Sequence, residues 1–513
     1  MSKVIADKSE QPKFLDRAGV RGFPWVSGGI LYLISYGWFW GVRNSFWNDD
    51  WTYYVAPFVT DFNIHLYGLA PWKIYFEISL YGWFGPGFMR LCTFIAFFLS
   101  AVALFGITKK FKFLDYQQRK FVVLLFLLLP FNSARVALMV FHYSMAYLWF
   151  FVAWYLLVTT KSVWVRTASL CLFFLSFQMH SLLSFFVLPC AHLLFFERVS
   201  NFRLLLRWVR KYSWLLCLPF VYWVLRALFW PSTIRNSKGD GYHEITSETL
   251  IGLVPLLISV LLVLGLLMLA INRSRGNFRN SLLIVVLGMA SMLIGLFAYV
   301  LGGLVPGGLR LFATYLNYFV GQSDWQGRHL MLQPFGVSLV LVGLISFLPA
   351  ASKRIRKILQ QGLLAICVLF NVCFGFEYIV DYSKQKEIVR QLEAVITPNR
   401  TDIYLFFDQT INLNARGRYY RDRDRWGLIG TAYDFEVAKK AEIRTQCNQE
   451  GRIVLINGPE THWRALKNWI QNRNMGFVVK VDDTPNACTP DLEPSIIRQG
   501  AIPILFYFVK QGE

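Results

Sequence analysis

Charged side chains are scarce in this sequence of 513 residues. Only 16% of the residues are Asp, Glu, Lys or Arg, whereas 55% are hydrophobic and 17% are aromatic. The mean hydropathy is +0.41, which means that the chain has more apolar residues than a water-soluble domain could bury in one core. The composition therefore excludes an ordinary soluble globule and predicts a polytopic membrane protein.

Acidic residues are the scarcer of the two charge types. The chain has 31 Asp and Glu against 52 Lys and Arg, which gives a net charge of +21. Basic cytosolic loops that lie against anionic lipid headgroups account for such a surplus. We therefore expect membrane lipids as partners and no nucleic acid.

Several common catalytic motifs are also missing. The sequence has no Walker loop, no GxSxG, no HExxH and no CxxC. ATP hydrolysis, serine catalysis and zinc catalysis therefore have no support. His142 and His180 each follow an apolar stretch, but no metal-ligand spacing links them.

What the chain does contain is a series of apolar stretches long enough to cross ~30 Å of hydrocarbon. About eleven transmembrane helices are predicted, near residues 26–43, 86–108, 120–138, 143–160, 164–179, 181–197, 213–230, 248–271, 281–304, 330–349 and 358–378. Alternate loops are rich in Lys and Arg, and the positive-inside rule places these loops in the cytosol. We expect a multi-pass protein of the bacterial inner membrane, with a cytoplasmic N-terminus and a periplasmic C-terminus.

Three parts of the chain are expected. Residues 1–25 form a cytosolic tail, residues 26–380 a mainly α transmembrane module, and residues 381–513 a small periplasmic α/β domain. Strand-like runs lie near 403–407, 453–456, 477–481 and 504–509, and helical patterns near 431–446 and 461–474.

Two cysteines of the C-terminal region differ from the six that lie in apolar spans. Cys447 and Cys488 are expected in an oxidising compartment, where they are a candidate disulfide. Two free thiols are the alternative.

The first candidate for chemistry is the acidic pair Asp49 and Asp50, which follows the first apolar segment directly. A carboxylate at this place can act as a general base if its surroundings raise its pKa. Adjacent acids raise each other's pKa unless a divalent cation, Mg²⁺ or Mn²⁺, neutralises them. The alternative is that Asp49 helps to cap the next helix and that Asp50 is simply solvated.

Cations in the predicted outer loops are the second candidate group. Arg328 precedes a late apolar helix and suits bidentate phosphate binding, and His329 beside it could donate to the same group. The alternative for Arg328 is an interfacial side chain that reaches toward water. Further outer cations near the membrane surface, where a lipid-linked phosphate would lie, are Arg135, Arg235, Lys238 and Arg310.

The loop 231–247 carries two of these cations together with His243 and two glycines. A mobile basic loop of this kind can close over a substrate phosphate. A solvated connector is the alternative.

The chain resembles the GT-C superfamily of polytopic membrane glycosyltransferases in three features. These are Asp49-Asp50 after the first helix, Gly327-Arg328-His329 before a late helix, and a C-terminal outer domain. Within it, the chain is most similar to bacterial glucosyl-type transferases that decorate the O-antigen of lipopolysaccharide or other surface glycans. The resemblance implies a polyprenyl-phosphate sugar donor, a glycan hydroxyl as acceptor and inversion at the anomeric carbon. It also implies that Asp49 or Asp50 is the base or a metal ligand, and that Arg328 binds the donor phosphate. Many members have Tyr where this chain has His329.

Two other classes stay open. An O-antigen polymerase or ligase would act on polyprenyl-diphosphate-linked glycans through outer arginines and histidines rather than an acid pair. A lipid or sugar transporter without catalysis would show internal repeats or broken charged helices at mid-membrane, and the sequence shows neither.

Overall fold

The computed structural model describes residues 22–47, 50, 70–131, 133–160, 162–197, 201–231, 277–301, 330–348 and 352–395, together with 403–408, 415, 428, 431, 453–457 and 477–482. This part of the chain is mainly helical. Its α-helices are α1 (Trp25–Tyr36), α2 (Pro71–Thr108), α3 (Tyr116–Leu128), α4 (Val140–Thr159), α5 (Val163–Ser176), α6 (Ser181–Phe185), α7 (Val187–Phe196), α8 (Phe202–Lys211), α9 (Ser213–Leu216), α10 (Leu218–Phe229), α11 (Asn277–Leu301), α12 (Gln333–Ser346) and α13 (Lys353–Val395). Two 3₁₀ turns cover Gly37–Trp40 and Ser133–Val136.

Within the described ranges, four helices are long and apolar enough to cross a membrane. They are Pro71–Thr108, Val140–Thr159, Phe278–Phe297 and Lys353–Arg390, and a fifth span results if α8 and the bent continuation Ser213–Phe229 count as one. Shorter apolar helices cover Val163–Ser176, Ser181–Phe196 and Gln333–Ser346. A protein with several apolar helices is therefore confirmed, while the count of eleven stays a prediction, since 248–271 lies outside the described residues.

Helix α3 shows how local sequence sets a boundary. The Asp115 carboxylate accepts from the backbone N–H of Gln118 at 2.8 Å, and the Gln118 side chain accepts from the Asp115 N–H at 2.9 Å. The helix ends at Leu128 because Pro130 disfavours the helical conformation at the residue before it, and Leu129 is extended (φ −57°, ψ 128°). The predicted span 120–138 is therefore too long, since a turn occupies its second half.

Helix α2 has a kink that divides it into two segments. Gly85 adopts φ 72° and ψ 178°, a conformation that a residue with a Cβ rarely adopts, and Pro86 follows it. The second segment corresponds to the predicted span 86–108. The first segment, Pro71 to Phe84, is rich in aromatic residues.

Helices α11 and α12 make the closest described helix pair. A Cβ on Gly336 would lie 2.7 Å from the carbonyl oxygen of Gly288, and a Cβ on Gly288 would lie 2.7 Å from that of Gly336. Two glycines thus let the backbones touch, as small residues do between membrane helices.

Three strands form a mixed sheet in the C-terminal region. The central strand β1 (Ile403–Asp408) pairs in parallel with β2 (Ile453–Asn457) and antiparallel with β3 (Phe477–Asp482). These strands coincide with three of the four predicted ones. The predicted strand 504–509 and helices 431–446 and 461–474 lie outside the described residues, so the α/β domain stays a prediction.

Helix α13 continues well beyond the predicted end of the membrane module near Tyr378. Asp381 and Lys384, at the start of the predicted C-terminal domain 381–513, are buried within the helix. The Asp381 carboxylate accepts from the backbone N–H of Ala415 at 2.8 Å and from the Gln385 amide at 3.1 Å. The helix therefore crosses the predicted boundary at residue 381, and Asp381 binds another segment of the chain instead of water.

Candidate functional site

The carboxylate of Asp50 is wholly buried, with 0% of its surface exposed. Oδ2 accepts from the backbone N–H of Trp47 at 3.0 Å and of Leu138 at 2.9 Å, and Oδ1 accepts from the N–H of Met139 at 2.9 Å. The N–H of Asp50 in turn donates to the Trp47 carbonyl at 3.0 Å. The alternative of a solvated Asp50 is therefore wrong: its side chain joins the segment after the first helix to the turn before α4.

Arg90 of α2 also binds the segment after the first helix and the turn before α4. Its Nε donates to the carbonyl of Val136 at 2.8 Å, and its two terminal nitrogens donate to the carbonyls of Arg43 and Ser45, each at 2.6 Å. The side chain is almost fully buried. We call Asp50 and Arg90 the loop clamp, because both bind backbone atoms of residues 43–47 and 136–139.

Arg90 was not among the residues predicted from the sequence to form the site. It lies inside the predicted span 86–108, and a charged residue within an apolar helix is itself a sign of a structural or functional role. That signal was available from the sequence. The identity of its partners was not, because they are backbone carbonyls from two distant segments.

Burial and charge act in opposite directions on Asp50. Burial raises its pKa to about 7, while Arg90 and the backbone N–H groups of Leu138, Met139 and Trp47 favour the ionised form. A carboxyl group with a pKa near 7 changes protonation at physiological pH.

Arg135, a predicted outer cation, is buried within the protein. Its side chain is 3% exposed. The guanidinium carbon lies 3.9 Å from the centre of the Tyr36 ring and 4.7 Å from that of Phe97. Two aromatic faces stabilise the cation inside the bundle, because the turn 133–136 points back toward α1 and α2. Phosphate binding by Arg135 stays a prediction that this burial does not favour.

A second pair of charged residues missed by the sequence analysis lies in the first segment of α2. Lys73 Nζ and Glu77 Oε1 are 3.6 Å apart, and both side chains are buried. Glu77 Oε2 has no hydrogen-bond partner among the described residues. The same segment also exposes large aromatic side chains, namely Trp72, Tyr75, Phe76, Trp83 and Phe84. Charges inside and aromatic rings outside are the arrangement of a helix whose outer face contacts lipid.

The two histidines are placed differently. His142 is buried in α4, with its ring centre 4.0 Å from that of Tyr143. His180 lies in the turn between α5 and α6. His180 is exposed, unlike His142.

Most of the predicted phosphate-binding residues lie outside the described residues. They are Arg235, Lys238, His243, Arg310, Arg328 and His329. Asp49 and the candidate disulfide partners Cys447 and Cys488 also lie outside. These assignments stay predictions.

A divalent cation does not suit Asp50. Three N–H donors occupy its oxygens, and the positive charge of Arg90 is already nearby. Among the residues that the structure describes, no group of three or more His, Cys, Asp or Glu could hold a metal ion. The predicted Mg²⁺ or Mn²⁺ site would therefore have to rest on Asp49.

No family model, no curated protein and no solved structure matches the chain. The class that the fold itself defines is a mainly helical protein with several apolar helices. The likeness to GT-C glycosyltransferases rests on the sequence motifs alone.

Proposed function

We propose that this protein is a membrane glycosyltransferase of the GT-C type, which transfers a sugar from a polyprenyl-phosphate donor to a hydroxyl of a surface glycan on the periplasmic face. The observation that carries the proposal is the loop clamp. Two opposite charges are buried in order to fix the backbone beside Asp49. Removing a charged group from water costs free energy, and buried charges that are kept despite this cost are typical of functional positions.

The clamp also suggests how the two acids divide their roles. A general base must reach the proton that it removes, within about 3 Å. Three backbone N–H groups already bind Asp50. We therefore assign the role of base to Asp49 and a positioning role to Asp50.

In the proposed reaction the proton of the acceptor hydroxyl passes to the Asp49 carboxylate. The hydroxyl oxygen forms a bond with the anomeric carbon while the bond from that carbon to the phosphate oxygen breaks, which inverts the anomeric centre. Polyprenyl phosphate leaves with the electron pair. Arg328, together with Arg310 and Arg235, would stabilise the negative charge on the departing phosphate.

The test compares Asn substitutions of the two acids in purified full-length protein, with transfer of radiolabelled sugar from polyprenyl-phosphate glucose to isolated O-antigen as the assay. Asp49→Asn is expected to lower transfer at least ~100-fold without lowering the melting temperature. Asp50→Asn is expected to lower both. Asp115→Asn, in the exposed cap of α3, is the matched control and should retain activity.

Two outcomes would overturn the proposal. Full activity of both Asn variants, with loss of activity in Arg310→Ala, would favour a polymerase or ligase that acts on diphosphate-linked glycans. Movement of the intact donor across proteoliposomes without cleavage of the sugar–phosphate bond would favour a transporter.

A further inference from the structure

Helix α8 presents three distinct faces. Asn201 caps it by accepting from the backbone N–H of Leu204 at 2.9 Å. One face lies against the protein: Trp208 is buried, and Leu204 and Leu205 are half-buried. The other two faces are exposed, and they differ in chemistry.

The first exposed face is apolar. It consists of Phe202, Leu206 and Val209, and Phe202 is 71% exposed. Residues spaced by four and then three positions lie on the same side of a helix. Three large apolar side chains would therefore contact water together unless hydrocarbon covers them.

The second exposed face is basic. Arg203, Arg207 and Arg210 have the same spacing, one position later, so they lie about 100° around the helix from the apolar face. No acidic residue occurs between 202 and 211, so nothing within the helix neutralises them. Lys211 is different, since it pairs with Glu197 at 2.5 Å.

The direction of α8 agrees with this division. The helix meets Ser213–Phe229 at a bend of 72°. That continuation exposes Phe220, Trp223, Leu228 and Phe229, as expected for a segment surrounded by lipid. If Ser213–Phe229 crosses the bilayer, α8 runs close to the plane of the membrane surface.

We propose that α8 lies in the plane of the membrane and binds anionic phospholipid headgroups through Arg203, Arg207 and Arg210. The apolar face is immersed in the acyl-chain boundary, and the adjacent basic face meets the phosphates, where each guanidinium donates paired hydrogen bonds. An anionic lipid is the occupant because the face carries three unneutralised cations beside an apolar surface. The Lys211–Glu197 pair anchors the end of the helix to the bundle. This inference is independent of the proposed sugar transfer.

The first experiment measures the binding of phosphatidylglycerol by the purified full-length protein in neutral detergent micelles. The melting temperature of the wild type is expected to rise with added phosphatidylglycerol and not with phosphatidylcholine, and the rise should shrink in 0.5 M NaCl because salt screens the cations. The double variant Arg203→Gln/Arg207→Gln is expected to bind phosphatidylglycerol at least ~5-fold more weakly.

The matched control is Lys109→Gln/Lys112→Gln. It removes the same charge from two exposed lysines of a turn that lacks an exposed apolar face, and its affinity should change less than ~2-fold. If both double variants bind phosphatidylglycerol equally weakly, the affinity depends only on the net charge of the protein, and the proposed site is wrong. Equal stabilisation of the wild type by the two lipids would also overturn it.

The second experiment tests the immersion of the apolar face. A bimane fluorophore on Leu206→Cys in nanodiscs should be quenched by lipids with brominated acyl chains, whereas the same label on Arg207→Cys should be quenched much less. The signal from labelled wild-type cysteines is subtracted. Equal quenching at the two positions would show that α8 is not held with one face in the hydrocarbon.

Discussion

Asp50 and Arg90 hold one turn through opposite charges: Asp50 accepts from the backbone N–H groups of Leu138 and Met139, while Arg90 donates to the carbonyl of Val136. The same two side chains bind the segment that ends at Trp47. Substitution of Asp50 removes the acceptor of three backbone N–H groups, and substitution of Arg90 removes the donor to three backbone carbonyls. The clamp is therefore a structural unit in which the two charges depend on each other.

Arg90→Met is expected to destabilise the protein by about 3–5 kcal/mol, because three backbone carbonyls, two of them buried, lose their donor and Asp50 loses its compensating charge. Arg90→Lys should recover only part of the loss, since an ammonium cannot reproduce the planar fork. Thermal unfolding in detergent measures the effect. Arg119→Met is the control, because the half-buried Arg119 side chain makes one long hydrogen bond of 3.3 Å to the Asp115 carbonyl and lies 5.9 Å from the centre of the Tyr116 ring. Similar losses in the two Met variants would argue against the clamp.

The stability contributed by Asp50 should depend on pH. Its pKa is raised from 3.8 to about 7 in the folded protein. The folded state therefore binds the proton more tightly than the unfolded state, and this stability is fully present below pH ~4 and is lost as the pH rises to ~7. Between pH 5 and pH 8 the wild type should lose about 2–3 kcal/mol relative to Asp50→Asn, at ~1.4 kcal/mol per pKa unit. Parallel pH profiles of the two proteins would contradict the assignment.

The close approach of α11 and α12 predicts strong intolerance at Gly336. Gly336→Ala places a Cβ within 2.7 Å of the Gly288 carbonyl and within 2.6 Å of the Met292 side chain. The helices must separate, so we expect a loss of about 1–3 kcal/mol. Gly362→Ala is the matched control, because no atom lies within 4 Å of its Cβ position in α13. Its stability should stay the same or rise slightly, since Ala favours a helix over Gly.

The buried pair Lys73–Glu77 should show strong coupling in a double-mutant cycle. Lys73→Met leaves the buried Glu77 carboxylate without its cation, and Glu77→Gln leaves the buried Lys73 ammonium group without its anion. Each single variant is expected to destabilise the protein by about 3–5 kcal/mol. The double variant Lys73→Met/Glu77→Gln should cost less than the sum of the two single variants. The exposed pair Arg390–Glu387 provides the comparison, with an expected coupling of ~0–1 kcal/mol. Additive effects at 73 and 77 would show that the two charges act independently.

The candidate site could be found from the sequence only in part. Asp50 was visible because an acid beside an apolar stretch is unusual, and the kink of α2 was marked by Gly85-Pro86. Lys73 and Glu77 carried a readable signal as well, since a four-residue spacing places them on one helix face. The burial of Arg135 between the rings of Tyr36 and Phe97 could not be read, because these residues are distant in sequence.

The sequence by itself determined the series of apolar helices and the approximate positions of most of them. It also determined the capped start and proline-limited end of α3, and three strands of the C-terminal sheet. These features depend on composition, periodicity and residues within one turn of each other. Only the tertiary structure decided that Asp50 is buried rather than solvated, that Arg90 binds its three carbonyls and that Asp381 binds Ala415. A buried charge takes its partners from whichever backbone atoms the packing brings near it. For Asp50, Arg90 and Asp381 these atoms lie 34 to 89 residues away along the chain, apart from the nearby N–H of Trp47.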